Sequence, residues 1–254
     1  MFLLKKRHFR IYWHICYRLN VQNQLCWKIN DGRCLYRMTS EKRNVLVVGA
    51  HSDDIEIGCG GTVARHVDKG DNTIILVMAE SSYAYYNGTV LRTVKESEEE
   101  ERNAANIMDA KLINLGFETK NVPYSSESIE AVNRIIDDYD IDMIYTHWYH
   151  DTHQDHRRTT QSVLSAGRYV PNILMYEPEY PAGRSYLGFR NQYYVDITST
   201  FEIKIDALKC HKSQVQKYGD AFLDAVEARA MHRGYEIGRK YAECFEIVRL
   251  QGVI

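Results

Sequence analysis

The sequence predicts an α/β protein with a mostly parallel sheet covered by helices on both faces. Three observations carry this. Strand-like and helix-like segments alternate along most of the chain, the pattern of βαβ crossovers. Runs such as 45–50 (VLVVGA) and 73–78 (TIILVM) are continuously apolar and β-branched, as strands buried on both faces require. At 254 residues, 44% hydrophobic and 26% charged, the chain is long enough for one domain with a sizeable core.

The elements follow in order. Strand 45–50 ends in small residues, and a helix over 58–69 stops at Gly70, a residue suited to the left-handed turn beyond a helix end. After strand 73–78, residues 95–108 read as a helix with an acidic solvent face at 98–101. A short strand, 111–115, precedes helix 126–139, where Ile129, Val132, Ile135 and Ile136 share one side. Strand 143–146, helix 155–169 and strand 173–176 come next. A strand with alternation at 192–197, a long helix at 221–241 and a strand at 245–250 complete the chain. Residues 178–191 read as a loop.

Charge is unevenly distributed. The net charge is −2, with a pI near 6.6, which gives no case for a nucleic-acid partner. Residues 1–37 hold eight of the basic residues and one acid, so this head is +7 and the remainder −9. We read 1–37 as a basic N-terminal extension, a disordered arm or an upstream translation ahead of Met38, and 38–254 as the folded domain. The head lacks the unbroken apolar stretch and the cleavage site of a secretory signal, and is not Ser-rich like a transit peptide. Phe9, Trp13, Cys16 and Tyr17 fall at helical spacing, so a surface-binding helix is a competing reading. No apolar run approaches the ~18 residues of a membrane span. The six cysteines form no C-x-x-C pair and no export signal is visible, so reduced thiols and a cytoplasmic location are expected, with Cys59 as a packing residue.

In open α/β sheets, sites form beyond the carboxyl ends of the strands, and two such ends are chemically dense. The first is His51-Ser52-Asp53-Asp54, where one carboxylate can coordinate an ion while its neighbour stays free to take a proton. Taken alone, that cluster also suits helix capping by Asp53 or Asp54. The second carries His147, His150, His153 and His156. Steps of three rotate around a helix, so the four cannot converge on one ion. His147 and His150 are read as polar loop residues, and His153 and His156 as sharing a face at a helix start. A His and a carboxylate from one strand end plus a His from the other make three N/O ligands with an open position, the pattern of a catalytic zinc site. Gly58-Cys59-Gly60-Gly61 fails the dinucleotide template, since Val63 stands where the third glycine belongs, and is read as tight packing.

Residues 50–62 (AHSDDIEIGCGGT), with His153-Gln154-Asp155-His156, resemble the LmbE/PIG-L family of zinc-dependent N-acetylglucosaminyl deacetylases over roughly residues 43–250. The resemblance implies a Rossmann-like deacetylase fold, with His51, Asp54 and His156 as metal ligands and Asp53 as general base. It implies that His153 stabilises the oxyanion and protonates the leaving amine, that Asp155 orients His153, and that homo-oligomers form. Zinc is the implied ion, and the same ligands suit Fe(II) or Co(II). Two positions depart from the family pattern: Ser52 stands at the usual Pro, and Ser97 where an Arg often reaches a substrate hydroxyl, with Glu100 in register. Arg92, from the preceding segment, is the candidate substitute, and Arg184 is a second candidate substrate contact. Nineteen tyrosines against seven phenylalanines suit stacking on a sugar or an interface. The expected reaction removes an N-acetyl group from an N-acetylglucosamine-type amino sugar or its conjugate. Competing readings are a zinc amidase on another acylated amine or thiol conjugate, and a non-catalytic sugar- or metal-binding module.

Overall fold

The apolar runs of the sequence assemble into one seven-stranded sheet. The computed structural model describes residues 29–30, 33–34, 42–179, 183 and 185–251. The chain divides into two compact units, Met1–Glu41 and Lys42–Ile254. The described part of the first is one antiparallel pairing, β1 (Ile29–Asn30) with β2 (Arg33–Cys34). Beyond it, the expectations for residues 1–37 lie outside the described residues, as does the one for Arg184.

The second unit runs β3 (Asn44–Gly49), α1 (Asp54–Asp68), β4 (Asn72–Ala79), β5 (Tyr83–Ala84), β6 (Val90–Arg92) and α2 (Val94–Ile107). It continues with β7 (Lys111–Phe117), α3 (Ser126–Asp138), β8 (Met143–Thr146), α4 (Gln154–Ala166), β9 (Asn172–Tyr176) and β10 (Tyr193–Asp196). Helices α5 (Phe201–Lys209), α6 (Lys212–Tyr218) and α7 (Asp220–Glu236) precede the last strand, β11 (Ala242–Leu250). The sheet order is β10-β11-β9-β8-β3-β4-β7, and β5 pairs with β6 as a separate hairpin. Strands β9, β8, β3, β4 and β7 are mutually parallel. Strand β11 runs antiparallel to both β9 and β10, so the sheet is mostly parallel, as expected.

Side chains alternate across the buried strands. Val45, Val47, Ile75 and Val77 face Ile55 and Val63 of α1, Ala104 and Ala105 of α2, and Ala207 of α5. Leu46, Val48, Ile74 and Leu76 face Val132 and Ile135 of α3 and Val163 and Ala166 of α4. The chain steps from β3 outward through β4 to β7, then returns to β8 on the other side of β3. The carboxyl ends of β3 and β8 therefore form a topological switch point, where α/β sheets place their sites.

Helix α1 starts at Asp54, four residues before the expected start, and breaks at Cys59 (φ −154°, ψ 23°). The break frees backbone groups in the interior, and buried charges replace the lost bonds. Glu243 accepts from Gly61 N (3.0 Å) and Thr62 N (2.7 Å), acting as a cap for the second half of the helix. Lys204 donates to Ile57 O (2.9 Å) and to Glu243 (2.5 Å), and Thr200 Oγ1 donates to Gly61 O (2.8 Å). The glycines beside the break are needed for close approach. A Cβ at Gly58 would lie 2.4 Å from the Tyr176 ring, and one at Gly61 2.7 Å from Ile197. Cys59 is buried in the core beside them.

Some segments differ from the sequence expectation. Helices α5 and α6 and the β5–β6 hairpin were not expected, because each is short; Phe201, Ile205 and Leu208 of α5 do repeat at helical spacing, but over only nine residues. Helix α7 ends at Glu236 rather than 241: Gly238 adopts φ +67°, and Arg239 N turns back to donate to Gly234 O. The acidic face of α2 is only half exposed. Glu98 and Glu99 face solvent, whereas Glu100 accepts from Ser213 N and Oγ (2.7 Å each) and Glu101 from Asn114 (3.0 and 2.9 Å). The packing of α2 against α5, α6 and β7 turns those two carboxylates inward. The N-terminus of α2 carries a complete capping box between Thr93 and Glu96. Among the described residues, no helix is long and apolar enough to cross a membrane.

Candidate active site

Two strand ends bring the site together. Beyond β3 the chain passes His51, Ser52 and Asp53 into α1, and beyond β8 it passes from His147 through the loop to α4. Asp54, in the first turn of α1, is the hub. Its Oδ2 accepts from His51 N (2.6 Å) and lies 3.4 Å from His51 Nδ1, and its Oδ1 lies 3.4 Å from His156 Nε2. His51, Asp54 and His156 are thus brought together.

The far nitrogen of each of the two histidines is held by a buried carboxylate. His51 Nε2 donates to Asp155 Oδ2 (3.0 Å), and His156 Nδ1 donates to Asp151 Oδ2 (2.9 Å). Each ring therefore carries its proton on the far side when neutral, and its other lone pair faces Asp54. Carboxylates that orient histidine ligands in this way recur around metal sites. The carboxylates are themselves fixed. Asp155 accepts from Lys120 N (2.6 Å) and Val122 N (3.2 Å), and Asp151 accepts from His153 N (2.7 Å).

Without an ion, protons take up the negative charge. Burial opposes charging His51, but Asp54 and the bonds to Asp155 and Asp54 outweigh it and raise its pKa to about 9. Burial likewise opposes charging His156, but Asp54 and Asp151 raise it to about 10. Asp54 is held well below the carboxylate range: burial raises it, and His156, His147 and His51 together overcome that. A carboxylate ringed by imidazole nitrogens that otherwise fill with protons is a donor set a divalent cation fits. Among the described residues, the possible ligand groups are His51, His153 and His156, and Asp54, His147 and His156.

His147 is not a free loop residue, contrary to the sequence expectation. It is buried, stacks on His156 at 4.0 Å, and its Nε2 lies 3.1 Å from Asp54 Oδ2. The same Nε2 accepts from Ala50 N (2.9 Å), so its lone pair is already engaged. Burial, with His156 adding to it, lowers its pKa to about 4 and keeps the ring neutral. His150 sits in the loop, packed edge-on to Trp148.

Asp53 occupies the N-cap position of α1, yet its side chain makes no capping bond and lines the pocket instead. The capping explanation of the Asp pair therefore does not hold for Asp53. His153 caps α4: its Nδ1 accepts from Asp155 N (3.2 Å). Burial, then His156 and His51, lower its pKa to about 4. The neutral ring then carries its proton on Nε2, as a donor. The link to Asp155 differs from the expected one: the Asp155 carboxylate orients His51, and only the Asp155 backbone reaches His153.

The two departures from the family pattern touch each other. Ser52 N donates to Ser81 Oγ (3.1 Å), a bond proline could not make, and Ser97 Oγ donates to Ser52 Oγ (3.3 Å). Arg92, on β6, lines the same pocket. Its Nε donates to Ser81 O (2.8 Å), its Nη1 lies 3.7 Å from Glu100, and that Nη1 has no hydrogen-bond partner although buried. The pocket has a volume of about 160 Å³ and also takes in Tyr83, Lys120, Glu179, Lys217 and Tyr218. Burial, opposed by Arg229 and reinforced by Asp53 and Asp54, pushes Glu179 up to about 7. Sequence reasoning missed Asp151, Glu179, Lys120 and Lys217. Only Asp151 left a signal there, as an acid within the histidine run.

Comparison with known proteins matches residues 46–167 to the family described as PIG-L: GlcNAc-PI de-N-acetylase. An uncharacterized deacetylase, YaiS, of Escherichia coli K12 is 33% identical over 187 residues, covering 70% of this chain and 96% of the relative. The diacetylchitobiose deacetylase of Thermococcus kodakarensis is 27% identical over 247 residues, covering 89% of this chain and 88% of the relative. The structure of N,N'-diacetylchitobiose deacetylase from Pyrococcus horikoshii superposes with a TM-score of 0.68 at 21% identity, covering 96% of this chain and 92% of that one. The fold is that of these deacetylases, and the chain belongs to the PIG-L (LmbE-like) family.

Proposed function

We propose that the protein is a metal-dependent N-deacetylase that hydrolyses the acetamido group of an N-acetylglucosamine-type amino sugar or its conjugate, releasing acetate and a free amine. One observation carries most of this reading. The near lone pairs of His51 and His156 face Asp54 because Asp155 and Asp151 hold the far nitrogens, while the adjacent Asp53 is left uncapped beside the pocket. The deacetylase names of the relatives supply the reaction class.

His51, Asp54 and His156 would hold the ion, zinc being the default for such a set, with Fe(II) or Co(II) as alternatives. When bound, it supplies Lewis-acid polarisation of the amide carbonyl and acidifies water. Asp53 accepts a proton from the water that adds to the acetyl carbon. His153, neutral and protonated on Nε2, donates a hydrogen bond to the carbonyl oxygen as charge develops there. The proton that Asp53 has taken from the water passes to the amine nitrogen as the C–N bond breaks, and His153, its Nδ1 engaged by Asp155 N, keeps its Nε2 proton. Asp155 acts through others, fixing His51 by its carboxylate and His153 by its backbone N–H. Arg92 supports the reading as a hydroxyl contact, since its unpartnered Nη1 belongs to a residue lining the pocket.

The test is acetate release from N-acetylglucosamine conjugates by the purified, metal-loaded protein, with Asp53→Asn alongside. Release by wild type and its loss in the variant are the expected outcome. Full activity in Asp53→Asn would remove the role given to Asp53.

A further inference from the structure

A second cavity lies at the other end of the sheet. The active-site pocket stands beyond the carboxyl ends of β3 and β8, whereas this one takes in Arg43, directly before β3, and Met143, the first residue of β8. Thr62, Arg65, His66 and Lys69, which share one side of α1 and its C-cap, line it as well. Its volume is about 310 Å³, against about 160 Å³ for the active-site pocket.

The interior polar groups of this cavity satisfy one another. His66 Nδ1 donates to Asp71 Oδ2 (2.6 Å), and its Nε2 accepts from the Tyr145 hydroxyl (2.9 Å). Burial lowers the pKa of His66 against the pull of Asp71, and Lys69 and Arg43 add to the lowering, so the ring is neutral. The acids are engaged too. Asp71 accepts from Arg43 N (3.0 Å), and Asp196 accepts from Thr198 N (3.0 Å) and pairs with Arg239 (3.3 Å). Three cations are left over. Among the described residues, Arg43, Arg65 and Lys69 have no ion-pair partner. The Arg43 guanidinium reaches only the Met143 sulfur (3.4 Å), and that of half-buried Arg65 only the carbonyl of Asp196. The carbonyl end of α1 favours cations, but it carries only about half a unit of negative charge and so does not account for three. Thr62 Oγ1, buried in the same lining, has no hydrogen-bond partner.

We propose that this cavity is a binding site for a phosphate group, separate from the active site. A phosphate ester brings about two negative charges and several acceptor oxygens, where a carboxylate would leave most of the surplus charge unanswered. Arg43, Arg65 and Lys69 supply the counter-charge, with guanidinium groups suited to phosphate geometry, and Thr62 Oγ1 supplies a further donor. Tyr193, on the facing strand β10, is the neighbour for any ring that the phosphate carries. Nothing in this inference depends on the deacetylase reading.

The test is isothermal titration calorimetry of the full-length, metal-loaded protein with inorganic phosphate and with adenosine monophosphate. At least one of the two binds with a Kd of about 1 mM or tighter. Tighter binding of the nucleotide makes the ligand a phosphate ester with a ring, and equal binding makes it free phosphate. Phosphate can also reach the metal centre, so variants assign the site. Affinity falls about tenfold or more in Arg43→Gln/Lys69→Gln and is kept in His156→Gln. The side chains of Arg43 and Lys69 hold no buried carboxylate, so the double variant keeps the wild-type Tm, which checks its fold. Binding of both probes weaker than about 1 mM, affinity unchanged in the double variant, or affinity lost in His156→Gln overturns the proposal.

Discussion

Two clusters of buried charge lie along α1, and they are built to opposite ends. At the Cys59 break, Lys204 and Glu243 use their charges on each other and on the backbone groups that the break exposes: Ile57 O, Gly61 N and Thr62 N. That cluster closes on itself. At the N-terminus of the same helix, Asp54 is faced by imidazole nitrogens whose lone pairs point at it, and the protein adds protons to balance the charge. Buried charge alone therefore does not mark function. The distinguishing sign is a set of donors held in place from behind by other groups, with no partner supplied in front.

The largest effect expected from this contrast is chemical. Asp53→Asn lowers acetate release by about 10²–10⁴-fold, the range for a general base, while metal content by atomic emission stays at the wild-type level. Loss of metal together with activity would make Asp53 a ligand instead. At the closed cluster the effect is on folding. Lys204→Met leaves Glu243 buried without its counter-charge and costs about 3–5 kcal/mol in denaturant unfolding. A cost near zero would show that the backbone N–H groups alone satisfy Glu243.

The expected response to ions and pH is confined to the open cluster. Zinc at about 100 times its Kd stabilises the protein by about 2.7 kcal/mol, read as a rise in Tm that a chelator reverses and that His156→Gln abolishes. His51 and His156 stand above their ordinary 6.5 in the folded, ion-free protein. Their contribution to stability is thus fully present below about pH 6.5 and is lost as pH rises through their folded values of about 9 and 10. Zinc affinity moves the other way, rising with pH over the same window because bound protons must leave. Competition titrations with a chromogenic chelator measure this, and a flat profile would mean that the two rings hold no protons in the ion-free state. The smallest effect is at Ser97→Ala, which removes the hydroxyl contact to Ser52 and costs about 1 kcal/mol in thermal or denaturant unfolding.

Much of the architecture was legible because periodicity is a local property. The runs 45–50 and 73–78 are apolar throughout since both their faces are covered, by α1 and α2 on one side and α3 and α4 on the other. Helices α5 and α6 are too short for a comparable trace. Lys204, buried and charged in the middle of α5, reads in the sequence as a surface residue, and only Glu243, distant along the chain, makes its burial tolerable. Glu100 and Glu101 misled for the same reason, because their partners Ser213 and Asn114 come from other elements.

The candidate site divides along the same line. Sequence alone marked the candidates: His51, Asp53, Asp54, His153, Asp155 and His156 stand at two strand ends, and the order of strand and helix places those ends together. What only the tertiary structure decided is what each group faces. It turned His147 into the pocket wall and set Asp155 behind His51. It also put Asp151 behind His156. A residue type fixes which protons and charges a side chain can carry. Its tautomer, its pKa and its role depend on partners brought from other parts of the chain.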